Sequence, residues 1–301
     1  MTPTSGLAKK LGSKEFVVTA EWQPPAGTVA SVIETVAEAL GNGLTAVGVP
    51  DNHCGVGMSA TAACSALLNA GVEPIYHLAT RDRNRIALQS DLLGACALGV
   101  RNLLCTSGRH QTLIDGSGSA NVYDLDSVQL VWVSRQMREK GALLDGTPIV
   151  GEFPMLVGAV ANPYLRPLEL NMIQLAKKIE AGADFIQTHP VFELDEFAAW
   201  LTTAQREGFT DKVAIIASVL PLTSHQEAAQ LREAHTDTYI PDEIVERLKA
   251  DGDSAAQERL GVKMCAKTAA ALKGMDGVRG IHILSGGKER LIAELCATAA
   301  L

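Results

Sequence analysis

A carboxylate stands at the end of the first apolar run of the chain. The stretch "VTAEWQPP" covers residues 18–25, and Glu21 in it is followed by Trp22, Pro24 and Pro25. Because proline lacks the N–H that a strand ladder needs, the strand is expected to stop next to Glu21. Apolar neighbours raise the pKa of a carboxyl and suit it to general acid catalysis, whereas a salt bridge or a helix N-cap is the ordinary role of such a residue. Position alone leaves both open.

Polar residues follow the later apolar runs in the same way. They are Pro50 to His53, His77, Thr80, Thr106 to His110, Asn162, Gln187, His189, Pro221 and Ser285. If the runs are strands of one barrel, these residues collect on the face where barrel enzymes carry out their chemistry.

Histidine and cysteine residues on the same face raise the question of zinc. His53, Cys54, Cys105, His110 and His189 lie on different loops without the short spacing of metal ligands. We therefore expect no metal site.

The charge run "RDRNR" at 81–85 precedes a helical pattern. It is typical of a solvated first turn in which Asp82 complements the helix dipole. Binding of a phosphate or a carboxylate is the alternative.

Composition narrows the class of protein. Of the 301 residues, 47% are hydrophobic and 20% charged, which suffices for a large core. The net charge of -8 and the scattered Lys and Arg argue against a nucleic-acid partner. The N-terminus lacks the apolar segment of a signal peptide, no apolar run is long enough for a membrane span, and the six cysteines show no C-x-x-C spacing. A cytoplasmic protein with buried thiols is expected.

Short apolar runs alternate with amphipathic stretches along the whole chain. The expected strands are 16–22, 44–49, 73–79, 101–107, 154–160, 184–189, 213–220 and 278–284, and expected helices include 28–43, 86–99, 168–183 and 194–208. Eight such units predict an α/β fold, a (β/α)8 TIM barrel in a single domain over 1–301. A doubly wound sheet competes less well, since no G-x-G-x-x-G joins a strand to a helix. Residues 108–126 and 234–253 are expected to be elaborated loops.

Seven stretches in order resemble the methylenetetrahydrofolate reductase family over nearly the whole chain. They are "AEWQPP", "VPDN", "HLATRDRNRIALQSDLLGACALGVRNLL", "YDLDSVQL", "EAGADFIQTHPVF", "VLPLTS" and "IPDEIVERL". The resemblance is to the short bacterial form.

The resemblance implies a flavoprotein that passes a hydride from bound FAD or FMN to 5,10-methylenetetrahydrofolate, in one-carbon metabolism and methionine biosynthesis. Glu21 matches the family glutamate that protonates the folate and opens its five-membered ring. The implied cofactor-binding residues are Asp51, Asn52, His77, Leu78, Thr80, Gly108, Arg109, Lys177 and Lys178, where the two lysines match the basic pair on the phosphate side. The implied substrate-binding residues are Gln187, His189, Arg109 and Leu220.

The sequence departs from the family pattern at three positions. Gly108-Arg109-His110 stands where Gly-Asp-His is usual, His189 replaces a glutamine that contacts the pterin, and Pro50 replaces a threonine near the flavin. These changes indicate a flavin held differently, a flavin-free site or another folate reaction, and Arg109 is also a candidate for the folate glutamate tail.

We therefore expect a reductase that receives electrons from NAD(P)H or from a partner electron-transfer subunit, as a homo- or hetero-oligomer. The alternatives are a flavin-free or non-redox folate-binding barrel, methyltransferase-like or accessory to a one-carbon complex, a non-catalytic scaffold, and a zinc-dependent methyltransferase.

Overall fold

Eight parallel strands form a closed barrel in the computed structural model, which describes residues 2–28, 43–53, 55–114, 118–234, 238–250 and 252–301. The strands are β1 (Val17–Glu21), β2 (Ala46–Val49), β3 (Pro74–Ala79), β4 (Asn102–Thr106), β5 (Leu156–Ala161), β6 (Phe185–Pro190), β7 (Ala214–Val219) and β8 (Val278–Ile283). Each strand pairs with the next, and β8 pairs with β1. All eight predicted strands, and with them the (β/α)8 barrel, are confirmed; the domain boundaries 1–301 stay a prediction.

Helices follow the strands around the barrel. Along the described residues they are α1 (Gly6–Gly12), α2 (Ala60–Asn69), α3 (Arg85–Ala97), α4 (Ser127–Lys140), α5 (Leu168–Ala181), α6 (Leu194–Arg206), α7 (His225–Ala234), α8 (Asp242–Ala250), α9 (Ser254–Lys273) and α10 (Arg290–Ala299). The helices predicted over 86–99, 168–183 and 194–208 are confirmed as α3, α5 and α6. The one predicted over 28–43 lies almost wholly outside the described residues.

The two predicted loops have different outcomes. Residues 108–126 contain only a short 3₁₀ turn, Gln111–Leu113, among those described. Residues 234–253 hold α8, so the loop prediction there is wrong. Acidic Asp242 and Glu243 in the first turn and basic Arg247 and Lys249 in the last turn complement the helix dipole. Its buried Val245 and Leu248 join a separate apolar cluster.

The lower half of the barrel is filled by apolar side chains, one from each of seven strands. They are Val17, Ala46, Ile75, Leu104, Leu156, Phe185 and Ile216. Helix α1 closes this end with Leu7, which is fully buried in the same cluster. The carboxylate of Glu73 accepts the Gly6 and Leu7 N–H groups at 2.7 and 2.9 Å and so anchors the helix.

The large core lies outside the barrel, between the strands and the helices. Because both faces of a parallel barrel are covered, the strands read as continuous apolar runs, which is why the sequence identified them. The upper end, where the strands have their carboxyl ends, is lined by the polar residues described next. No helix of the described ranges is long and apolar enough to cross a membrane.

Candidate active site

Glu21 is the last residue of β1, and its carboxyl is only partly exposed. It lies opposite Gly48 of β2, and the N–H of Trp22 donates to the Gly48 carbonyl at 2.9 Å. Side chains alternate along a strand, so that Trp22, which is 2% exposed, packs in the outer core while Glu21 faces the barrel axis. Pro24 and Pro25 then end the ladder, as the sequence predicted.

The protein raises the pKa of Glu21 to about 7. Burial is the largest cause, because it removes water from the charged form. The negative charge of Glu289 raises the pKa further, and the positive charge of Arg109 lowers it. At neutral pH about half of the Glu21 carboxyls therefore carry a proton, which is the state a general acid requires.

A layer of polar side chains fills the barrel at the level below Glu21. It consists of Thr19, His77, Gln187, Ser218 and His282, each at most 6% exposed. Thr19 Oγ1 and His282 Nδ1 share a hydrogen bond of 2.9 Å. Among the described residues, His77 Nε2, Gln187 Oε1, Ser218 Oγ and His282 Nε2 have no hydrogen-bond partner. Buried polar atoms in proteins are nearly always satisfied, so this layer is suited to hold ordered water.

Both histidines of this layer are neutral near pH 7. Burial lowers the pKa of His77 and of His282 to about 3, and the His282 charge contributes to the shift of His77. The two rings meet beside Gly48, where an added Cβ would lie 2.8 Å from His77 Nε2 and 3.1 Å from His282 Cε1. Glycine at position 48 thus makes room for the pair.

His282, Thr19 and Ser218 were not identified from the sequence. The signal for His282 was its strand, "VRGIHIL", where a histidine two residues after Gly280 occupies an inward position among apolar residues. Thr19 also occupies an inward position, because it stands two residues before Glu21 on the same strand.

The charge run 81–85 is paired with acidic residues, and the prediction of a solvated first turn is wrong. Asp51 receives two hydrogen bonds from Arg83, at 2.6 and 3.2 Å, and a third from the Ala79 N–H at 3.0 Å. Arg81, only 3% exposed, pairs with Asp82 at 2.6 Å. Helix α3 begins later, at Arg85.

Arg81 also ties three loops of the barrel mouth together. Its guanidinium donates to the Asn52 carbonyl and to the Arg109 carbonyl, each at 3.1 Å. The loops after β2, β3 and β4 are thereby held in one arrangement, with Arg109 close enough to Glu21 to act on its charge. A Cβ at Gly108, whose φ is +75°, would lie 3.1 Å from Arg81 Cβ.

The other residues assigned to a cofactor lie in different surroundings. Asn52 accepts the Gly57 N–H at 3.2 Å and has a left-handed φ of 49°. Leu78 is fully buried in the outer core, away from the barrel axis. Thr80 is fully buried, and its N–H donates to the Thr106 carbonyl. His77 lies inside the barrel.

As they are arranged here, these residues do not fit a flavin. A flavin phosphate requires cations or N–H groups that face it. Lys178 donates its ammonium to the Val160 carbonyl at 2.5 Å, and burial lowers its pKa. Lys177 lies on the exposed face of α5. The chemistry proposed below is therefore assigned to the chain's own residues.

The residues assigned to the substrate surround the axis at different depths. Gln187 lies in the buried polar layer, and His189 lies two residues further along β6, at the mouth. Leu220 follows β7 and packs against the apolar cluster of Leu222 and Leu248. Arg109 is partly buried beside Glu21.

The loop after β8 brings two further charges to the mouth that the sequence did not reveal. Lys288 forms an ion pair with Glu227, whose carboxylate also accepts the N–H and the hydroxyl of Thr223 at 2.7 and 2.6 Å. Glu289 accepts a hydrogen bond from the Ser285 hydroxyl at 3.1 Å.

A cavity of about 210 Å³ opens between the loops after β1 and β2. Its walls are Gln23 to Ala26 of the loop after β1, Pro50, Asn52, His53 and residues 55–58 of the loop after β2, and Gly287. It is large enough for part of a ligand. No cluster of three or more metal-ligating side chains occurs in the described part of the chain.

Comparison with known proteins identifies relatives of this chain. The family model for methylenetetrahydrofolate reductase matches residues 7–300. The probable methylenetetrahydrofolate reductase (NADPH) of Caenorhabditis elegans is 23% identical over 255 residues, 84% of this chain and 36% of that protein. Methylenetetrahydrofolate reductase 2 of Saccharomyces cerevisiae is 31% identical over 123 residues, 37% of this chain and 20% of that protein. The matches thus span about a third of the first of these curated relatives and a fifth of the second.

Solved structures share the fold. A Clostridium thermocellum protein described as binding two copies of 5-methyl-5,6,7,8-tetrahydrofolic acid superposes with a TM-score of 0.68 at 13% identity, over 98% of each chain. A 2,3-dimethylmalate lyase gives a TM-score of 0.53 at 14% identity, over 99% of this chain and 85% of that chain. At these identities the likeness shows the barrel alone. The match to the family model covers almost the whole chain, and on that ground the chain belongs to the methylenetetrahydrofolate reductase family.

Proposed function

We propose that this chain reduces 5,10-methylenetetrahydrofolate to 5-methyltetrahydrofolate, with Glu21 as the general acid. The observation that carries the proposal is the Glu21 carboxyl at the barrel mouth, with a pKa raised to about 7. Few carboxyls keep a proton at neutral pH, and those in a cleft are candidates for proton transfer.

The reaction needs one proton and one hydride. Protonated Glu21 gives its proton to the folate nitrogen that leaves, the bond from that nitrogen to the methylene carbon breaks, and an iminium forms between the carbon and the other nitrogen. The iminium carbon then accepts a hydride and becomes the methyl group. Glu21 is left as a carboxylate, and the positive charge of Arg109, which favours its ionised form, stabilises it.

We assign the hydride to an external two-electron donor, a dihydronicotinamide or a reduced partner protein that docks at the mouth. The cavity between the loops after β1 and β2 offers space for part of such a group. Delivery through a resident flavin, which the family resemblance implies, is the competing route. The hydrogen bond of the Lys178 ammonium to the Val160 carbonyl argues against that route.

A second candidate is a barrel that binds methyltetrahydrofolate without redox chemistry. Arg109 beside the acid and the poor fit to a flavin favour it. The Clostridium thermocellum protein with the same fold, which is described as binding methyltetrahydrofolic acid, gives it further support. The unpaired cysteines among the described residues suit a reducing cytoplasm under either candidate.

The test combines the visible spectrum with turnover. The purified chain is incubated with 5,10-methylenetetrahydrofolate and NADH or NADPH, and methyltetrahydrofolate is quantified with and without added FAD or FMN. We expect turnover without flavin and a loss of about 10²- to 10⁴-fold in Glu21→Gln. Turnover that requires flavin, with a flavin spectrum that bleaches on methyltetrahydrofolate, establishes the competing route. Folate binding without turnover under any donor supports the non-redox candidate.

A further inference from the structure

A further cavity of about 210 Å³ lies between the loops after β6 and β7 and the helices α8 and α9. Its walls are largely apolar and belong to the separate apolar cluster beside the barrel; they include Phe192, Leu220, Leu222, Ile244 and Leu248. Leu222 and Leu248 are at most 3% exposed. Helix α9 meets the loop after β7 so closely that a Cβ at Gly261 would lie 1.6 Å from the Leu222 carbonyl oxygen. The walls are therefore set by tightly packed segments.

Four charged side chains also line this cavity. They are Arg247 and Glu243 of α8, Lys267 of α9 and Glu193, which precedes α6. Both cations are exposed, and within the described ranges neither of them forms a hydrogen bond or an ion pair. Their guanidinium and ammonium groups are thus available to an anionic ligand.

The cavity adjoins the barrel mouth through Leu220, which directly follows β7. Leu220 Cδ1 would lie 3.6 Å from a Cβ at Gly286, so its side chain also borders the turn after β8. Val219 of β7 and Ala20 of β1 both lie opposite Ile283 of β8, and the ends of β7 and β1 are therefore two strand spacings, about 10 Å, apart. A ligand whose reacting end lies at Glu21 can extend across β8 to the cavity.

We propose that this cavity binds the aminobenzoyl-glutamate half of the folate substrate, with the aryl ring against the apolar walls and the carboxylates at Arg247 and Lys267. This inference rests on the proposed function, which places the pterin half at Glu21. Burial of an aryl ring against apolar walls is favourable, and carboxylates form charge-assisted hydrogen bonds with guanidinium and ammonium groups. The sequence offered Arg109 for the glutamate tail, whereas the cavity combines two cations with a surface for the ring.

The acids of the rim make such a site selective. Glu193 and Glu243 offset the two cations, so that the four side chains carry no net charge and do not attract anions in general. A ligand is held when its carboxylates reach Arg247 and Lys267 while its apolar part covers the walls. An aryl amide of glutamic acid meets both conditions.

The test measures binding to the full chain by titration calorimetry. The probes are 5-methyltetrahydrofolate, 6-methyltetrahydropterin, which has the pterin ring without the tail, and NADH. We expect the double variant Arg247→Gln/Lys267→Gln to raise the Kd of methyltetrahydrofolate about three- to tenfold, as for two partly solvated ion pairs, and to leave that of methyltetrahydropterin unchanged. The matched control, Lys249→Gln/Lys263→Gln, removes the same charge from exposed positions of the same two helices outside the cavity, and it should leave every Kd unchanged.

An unchanged Kd of methyltetrahydrofolate in Arg247→Gln/Lys267→Gln overturns the inference, even if the chain reduces folate. Equal losses in both double variants indicate general charge, and a loss that extends to methyltetrahydropterin indicates a disturbed mouth; either result overturns it as well. A loss of affinity for NADH in place of methyltetrahydrofolate assigns the cavity to the electron donor and also overturns it. The expected pattern in a chain without turnover supports the inference and rejects only the proposed reaction.

Discussion

Replacing Glu21 by Gln should stabilise the protein above neutral pH while it removes the proposed acid. The pKa of Glu21 is raised from 4.5 to about 7, a shift of about 2.5 units, and one unit corresponds to about 1.4 kcal/mol. Between these two values the folded state binds more protons than the unfolded state. The contribution of Glu21 to the free energy of unfolding is therefore fully present below pH 4.5 and is lost as the pH rises through 7. The full loss is about 3 kcal/mol.

Glutamine has nearly the same shape and cannot ionise, so it avoids this loss. We expect the difference in stability between Glu21→Gln and the parent protein to be constant below pH 4.5. It should then grow in favour of the variant by up to about 3 kcal/mol by pH 8. The histidines of the polar layer also make stability depend on pH, but both proteins contain them, and their effect cancels in the difference.

Urea unfolding followed by circular dichroism at pH 5, 6, 7, 8 and 9 measures this difference. The matched control is Glu294→Gln, in which the replaced carboxyl is exposed and the difference should not vary with pH. A flat difference for Glu21→Gln, parallel to the control, would mean that Glu21 titrates as an ordinary carboxyl, and the assignment of a general acid would lose its physical basis.

Three further predictions concern the residues that build the site. Compared with its effect at pH 8, His282→Gln should add about 2 kcal/mol to the free energy of unfolding at pH 5, because a protein with a buried neutral imidazole loses stability as the pH falls below 6.5. Urea midpoints at pH 5 and 8 check this, and equal effects at both would contradict it. Gly48→Ala should lower the free energy of unfolding by about 1–3 kcal/mol, because the new Cβ collides with the histidine pair. Gly12→Ala, with no atom within 4 Å of the new Cβ, should leave the stability nearly unchanged. Similar losses for both variants in thermal melts would refute the close packing at Gly48. Arg83→Met should lower the free energy of unfolding by about 3–5 kcal/mol, because it leaves the Asp51 carboxylate buried without its cation. A loss below about 1 kcal/mol in urea unfolding would contradict this prediction.

The barrel could be predicted from the sequence because each strand is a short apolar run between turn residues. The position of Glu21 at the end of its strand could be predicted because two prolines follow it. Helix α8 could also have been predicted from the sequence, because Ile244, Val245 and Leu248 follow helical spacing after an acidic first turn. The segment 234–253 interrupts the alternation of strands and helices, and this favoured a loop over a helix there.

The polar layer and the ion pairs could not be predicted in the same way. Which inward residues meet depends on the strand register, so His77 and His282, about 200 positions apart, gave no local signal. The pairing of Arg83 with Asp51 likewise joins two loops that only the closed barrel brings together. The hydrogen bond by which Ser285 holds Glu289 in the turn after β8 likewise gave no signal in the sequence.

The raised pKa of Glu21 lowers the stability of the protein above neutral pH. The same raised pKa keeps the carboxyl protonated for its proposed use as an acid. With a pKa of 4.5, about 0.3% of such carboxyls would be protonated at pH 7, whereas a pKa of about 7 protonates about half, a gain of roughly 160-fold. A weaker acid transfers its proton more slowly, and with a Brønsted coefficient of about 0.5 that loss is roughly 18-fold. The net gain is about ninefold at pH 7, and it shrinks if Arg109 is left without Glu289 to oppose it. In the proposed reaction, a carboxyl with a pKa of about 7 is therefore a more effective proton donor at neutral pH than an exposed glutamate. Above neutral pH, Glu21→Gln should be more stable and less active than the parent protein.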